Sequence, residues 1–80
     1  MSETQDALLR LIQLMVDRPD DVVLDEISGS ESTLFELQVA AEDLGKVIGR
    51  QGRTARSLRS LLSARGDQDG ERYEFEIVEV

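Results

Sequence analysis

The chain predicts an α+β fold, a two-layer sandwich of three helices over a three-stranded mixed sheet in the order α-β-β-α-α-β. Three patterns carry that prediction. Apolar residues recur at helical spacing over residues 8–16 and 53–65. Two-residue alternation marks 32–40 and 71–80. Clusters of Gly, Pro, Asp and Ser separate these segments.

Each element follows in turn. Ser2-Glu3-Thr4-Gln5 offers a helix N-cap with Gln three residues on, and Leu8, Leu11, Ile12, Met15 and Val16 then fall on one face. Asp17-Arg18-Pro19-Asp20-Asp21 ends that helix, because proline disfavours helix at the residue before it. Residues 22–28 are rich in Val, Leu and Ile and read as a strand, and Ser28-Gly29-Ser30-Glu31 as a turn. Over 32–40, Phe35, Leu37 and Val39 alternate with Glu36 and Gln38. A short helix is expected from Ala41 to Val47, an interruption at Gly49–Gly52, and a longer helix from Arg53 to Arg65. Gly66 suits the left-handed position after a helix end, with Asp67-Gln68-Asp69-Gly70 as the turn. Tyr73, Phe75 and Ile77 then alternate with Arg72, Glu74 and Glu76 over 71–80. The hairpin makes strands one and two antiparallel, and the helical crossover makes strands two and three parallel. Residues 1–80 are expected to form a single domain.

Composition narrows the chemistry. With no Cys and no His, the commonest general base and the usual thiolate and imidazole metal ligands are missing, and no metal or cofactor is expected. Acidic pairs such as Asp20-Asp21 and Glu42-Asp43 lie at turns or strand ends, with nothing to bring them to a cleft beside a base. An enzyme is not expected. The longest apolar runs are three residues, far short of the roughly 20 that span a bilayer. The start, MSETQD, is polar and acidic, unlike a signal peptide. A cytoplasmic soluble protein with no membrane partner is the expectation.

Charge is unevenly placed. The chain carries 9 Lys+Arg against 17 Asp+Glu, a net −8. Between Leu44 and Gly66, however, stand six bases (Lys46, Arg50, Arg53, Arg56, Arg59, Arg65) and no acid. The remainder holds 3 bases against 17 acids, or 3 − 17 = −14. Glycines 49 and 52 let the backbone turn between two helices and let a phosphodiester approach the N–H groups at the start of the second. Lys46, Arg50 and Arg53 can add phosphate contacts, and Arg53, Arg56 and Arg59 step along one side of the second helix. Ala55, Leu58 and Leu62 take the sheet side. Arg65 falls off the stripe and complements the negative end of its own helix. Gly52-Arg53-Thr54 is not a phosphate-binding P-loop, since Val47 stands where the first glycine belongs and Arg replaces Lys.

Val47-Ile48-Gly49-Arg50-Gln51-Gly52 followed by a basic helix resembles the K-homology (KH) motif, in which a GXXG loop clamps about four nucleotides. The element order is that of type II KH domains, and DLGKVIGRQGRTARSLR looks most like the small bacterial RNA-binding proteins of the KhpA family. The resemblance implies single-stranded RNA as ligand. It also implies a homodimer or a larger partner protein with its own KH domain, and roles in RNA chaperoning, cell elongation and cell-wall regulation. Position by position, Gly49 and Gly52 match the loop glycines and Arg50 and Gln51 its variable middle. Val47 and Ile48 match the apolar residues before the loop, while Arg53 and Arg56 match the helix after it. Tyr73 and Phe75 read as packing residues rather than base-stacking rings. Other readings stay open: the glycines as a plain turn, the chain as a protein–protein adaptor with a KH fold, or single-stranded DNA as ligand.

Overall fold

A computed structural model describes residues 2–79. Helix α1 spans Glu3–Met15, strands β1 and β2 Val23–Ser28 and Thr33–Gln38, helices α2 and α3 Leu44–Ile48 and Arg53–Asp69, and strand β3 Tyr73–Ile77. Short 3-10 turns fall at Pro19–Asp21, Ala41–Asp43 and Arg50–Gly52. The observed order is α-β-β-α-α-β, as the periodicity predicts. Met1 and Val80, at the ends of the expected first helix signal and last strand, lie outside the described residues.

Ser2 caps α1, its Oγ accepting from the Gln5 N–H at 3.0 Å. The Gln5 side chain does not return to the cap. Its Nε2 donates to the Leu24 carbonyl at 2.8 Å and so ties the helix to the sheet, while the Ser2 hydroxyl also donates to Glu26. The helix stops at Met15 because Val16 is already extended (φ −111°, ψ 161°), ahead of Pro19.

The sheet order is β1-β2-β3. β1 and β2 form an antiparallel hairpin pairing Glu26 with Phe35, and β2 runs parallel to β3 with Phe35 beside Phe75. Parallel strands need a crossover, and α2 and α3 provide it. Leu24, Phe35, Leu37 and Phe75 turn toward the helices and meet Leu8 and Ile12 of α1, Val47 of α2, and Leu58 and Leu62 of α3. Tyr73 is half-buried, packs edge-on against Phe35 (centroids 5.3 Å apart, planes at 87°), and donates its hydroxyl to Asp69.

Several boundaries differ from expectation: the helix expected from Ala41 to Val47 begins as a 3-10 turn at Ala41–Asp43 and is α-helical only over Leu44–Ile48. The strands are shorter at their ends, at 23–28, 33–38 and 73–77. α3 continues past Arg65 to Asp69, and Gly70 rather than Gly66 takes the left-handed position (φ 69°). Gly66 is a buried helical residue. A methyl group there would lie 2.7 Å from the Glu71 carbonyl oxygen and 3.4 Å from the Tyr73 ring. The glycine lets the returning chain cross close to the helix, where Glu71 N–H donates to the Gly66 carbonyl at 2.8 Å. Arg65 is therefore not at the helix end. It pairs with the Asp69 carboxylate at 3.1 Å instead of with terminal carbonyls.

Candidate nucleic-acid interface

α2 has five residues, too few to persist alone. It is held by Val47, whose side chain is fully buried, and it ends at Gly49. Between α2 and α3 the backbone turns through left-handed space at three positions: Gly49 (φ 77°, ψ 172°), Gln51 (φ 57°, ψ 26°) and Gly52 (φ 73°, ψ 15°). Only glycine fits position 49. Besides the positive φ, a methyl group would sit 2.7 Å from Thr54 Cβ and 2.8 Å from Thr54 N. Position 52 has room, with Arg56 Nη1 at 3.9 Å, so there the conformation alone favours glycine. Gln51 is the one non-glycine with positive φ among the described residues, and its Oε1 accepts from Arg53 Nη2 at 3.4 Å.

Arg50, Gln51, Arg53 and Arg56 are exposed, and among the described residues none of these arginines pairs with a carboxylate. Gly49, Gly52 and Ile48 are half-buried. Arg53 and Arg56 border a shallow surface running down α3, shared with Ser57, Ser60, Leu61 and Ala64. The serines add hydroxyl donors to the same side.

Besides Arg65, already paired with Asp69, two more of the six clustered bases have partners elsewhere in the chain. Lys46, expected to add a phosphate contact beside the loop, has its Nζ 2.9 Å from Asp17 and 3.5 Å from Asp43. Its pKa is raised, first by the hydrogen bond to Asp17. Arg59 leaves the stripe to donate from Nε to the Phe75 carbonyl at 3.3 Å, on the outer edge of β3. Sequence reasoning also missed Thr54, which the loop packs against, and Asp43. The Asp43 carboxyl is fully buried and accepts from the N–H groups of Asp17 (3.1 Å) and Arg18 (3.0 Å). Burial pushes its pKa up, but those two N–H groups and the Lys46 ammonium outweigh it and hold the carboxyl below the usual range. Nothing in a one-residue pattern marks Asp43 as buried, since it follows Glu42 in an acidic turn.

The topology together with a Gly-X-X-Gly bend between the crossover helices defines a type II KH domain. Residues 5–77 match the family model described as KhpA/KhpB, KH domain. Three proteins called RNA-binding protein KhpA are similar over most of the chain. That of Clostridium acetobutylicum is 44% identical over 64 residues, 80% of this chain and 85% of its own length. The Chlamydia muridarum protein is 39% identical over 72 residues (90% and 92%), and that of Borreliella burgdorferi 42% over 69 (86% and 84%). No solved structure matches significantly. The chain belongs to the KhpA/KhpB KH-domain family.

Proposed function

We propose that this KH domain binds single-stranded RNA, gripping the sugar–phosphate backbone with Gly49–Gly52 and neutralising phosphates with Arg50, Arg53 and Arg56. The observation that carries the reading is the coincidence of a bare left-handed bend with three exposed loop-side arginines that pair with no carboxylate among the described residues, on a molecule that is otherwise strongly acidic. The similar proteins named for RNA binding support it. Ile48, half-exposed before the bend, offers apolar surface to a base. Aromatic rings add little, since Phe35 and Phe75 are core residues and Tyr73 packs on Phe35.

Neutralising about 2–3 phosphates gives a log–log salt slope of roughly −1.5 to −2, at about −0.7 per phosphate. Affinity of one domain is then on the order of micromolar. Such a weak, backbone-directed grip suits a cytoplasmic RNA chaperone or post-transcriptional regulator. Replacing Arg50 and Gln51 together with Asp is expected to abolish binding of a labelled single-stranded RNA while circular dichroism and melting temperature stay near wild type. Unchanged binding by that variant overturns the reading. A matched single-stranded DNA in the same titration decides whether the 2′-hydroxyl is read.

A protein contact is favoured by a separate observation. Leu11, Leu14 and Leu61 are 38%, 86% and 59% exposed, and Leu11 and Leu61 flank an apolar groove between α1 and α3. We read this flank as the place where a second copy, or a larger KH-domain protein, adds a second RNA grip. Two linked grips raise the apparent affinity through effective concentration. A chain that pulls down protein but enriches no RNA after crosslinking is an adaptor instead.

A further inference from the structure

The connection leaving α1 is strapped to the segment that enters the glycine loop. Asp17 and Arg18 donate their backbone N–H groups to the two oxygens of Asp43, at 3.1 and 3.0 Å. Lys46 reaches back from α2 to the Asp17 carboxylate at 2.9 Å, and Arg18 Nη1 reaches Glu42 at 3.2 Å. The straps cross: each segment supplies both donors and acceptors to the other. They converge on a carboxylate that is fully buried and kept ionised, although an isolated buried charge is strongly unfavourable.

α2 needs such a device. Val47 is its only fully buried side chain, and with Leu44 partly buried beside it the five-residue helix has few apolar contacts to fix its tilt and rotation. Three residues after Asp43, Lys46 opens the last turn of α2, and Gly49 follows its end. A rotation of α2 about Val47 would displace Gly49, which lies so near Thr54 that no side chain fits between them. Loop geometry and the straps are therefore coupled through a rigid element of five residues.

We propose that Asp43 and Lys46 are positioning residues for the Gly49–Gly52 loop, and that Lys46 acts as a strut rather than as a phosphate contact. This rests on the loop being the RNA grip. Supporting residues that fix a binding group's geometry contribute to affinity without touching the ligand.

The test uses the full chain, a short labelled single-stranded RNA of mixed sequence, and temperatures well below melting. Asp43→Asn turns one acceptor into an NH2 facing a backbone N–H donor. It is expected to weaken binding roughly tenfold, the scale of one charge-assisted hydrogen bond. Lys46→Met, which keeps the aliphatic stem but removes the ammonium shared by exposed Asp17 and buried Asp43, is expected to weaken binding while the salt slope stays at the wild-type value. In both variants the amide NMR resonances of Gly49–Thr54 should move or broaden while those of β2 and β3 stay. Leu62→Val, a core change at the far end of α3, serves as the stability control and should leave both affinity and loop resonances unchanged.

Wild-type affinity in folded Asp43→Asn overturns the proposal. So does a salt slope for Lys46→Met that is shallower by about 0.7, one phosphate's worth. Should Asp43→Asn fail to fold, Lys46→Met decides alone. If the wild-type chain binds no RNA, the proposed function fails, and the loop resonances still decide whether the straps set the bend.

Discussion

At the scale of single residues, the bend is specified by steric exclusion and by one tolerated strain. Gly49 faces the backbone and side chain of Thr54 at distances no Cβ accepts. Gly49→Ala should therefore distort the loop, costing about 1–3 kcal/mol of stability as well as RNA affinity. Thermal melts and RNA titration check both. Gln51 holds a left-handed conformation that glycine adopts freely. Gln51→Gly is expected to be neutral or up to about 1 kcal/mol more stable, and Gln51→Val less stable by a similar amount, since a β-branched residue fits that region worst. Both are readable by denaturant unfolding. If Gln51→Val proves as stable as wild type, the bend does not hold that conformation in solution.

Among the elements, α3 and the sheet each expose a cost. α3 runs four residues beyond the expected end because Gly66 is needed for close passage of the chain and not for termination. Its last turn is fastened through Asp69, which accepts from the Tyr73 hydroxyl at 2.6 Å, from Arg65 at 3.1 Å and from Thr4 at 3.5 Å. The Tyr73 hydroxyl, then Arg65, holds the Asp69 carboxyl below its ordinary value, and Asp43 is likewise depressed. Both carboxyls thus bind protons less readily folded than unfolded. Their stabilisation is complete above the unfolded pKa of about 3.9 and is lost as pH falls from there through the folded value. With no histidine to titrate, the melting temperature should be flat between about pH 5 and 8 and fall steeply below about pH 4. Melts across that range test this, and Asp69→Asn should flatten part of the acid limb. On the open sheet face, Asp25 pairs with Glu36 and Glu36 with Glu76, three carboxylates in one cross-strand row. Glu36→Gln should stabilise the chain by about 0.2–1 kcal/mol, and added salt should shrink the gain.

For the whole molecule, charge segregation is the organising feature. The acidic sheet face and the acidic turns leave the glycine bend and the first two turns of α3 as the one strongly basic surface among the described residues. Glu36→Lys should therefore steepen the salt dependence of RNA binding and relax its register by opening a second attractive face. A competition titration with mixed RNA would show it. The leucines along α1 and α3 give the molecule its main exposed apolar flank. If this flank joins two copies, Leu11→Glu, at a residue that lines the groove but not the arginine surface, is expected to shift sedimentation toward the monomer and weaken RNA binding without loss of secondary structure. No change in mass would remove the flank from the account of assembly.

The amino-acid pattern alone determined the element order, the parallel pairing of β2 and β3, most of the residues facing the core (Leu11, on the expected core face of α1, is exposed), and a basic Gly-X-X-Gly segment in an acidic chain. These are local properties, written in periods of two and 3.6 residues and in runs of one charge. Tertiary structure decided which of the six clustered bases are free. Lys46 and Arg59 carry the same charge as Arg50 and Arg53, yet one is spent on Asp17 and Asp43 and the other on a strand carbonyl. It likewise decided that Asp43 is buried and that Gly66 lies within a helix. Each of these depends on a contact with another segment of the chain, and a one-dimensional pattern does not record how closely two segments approach in space.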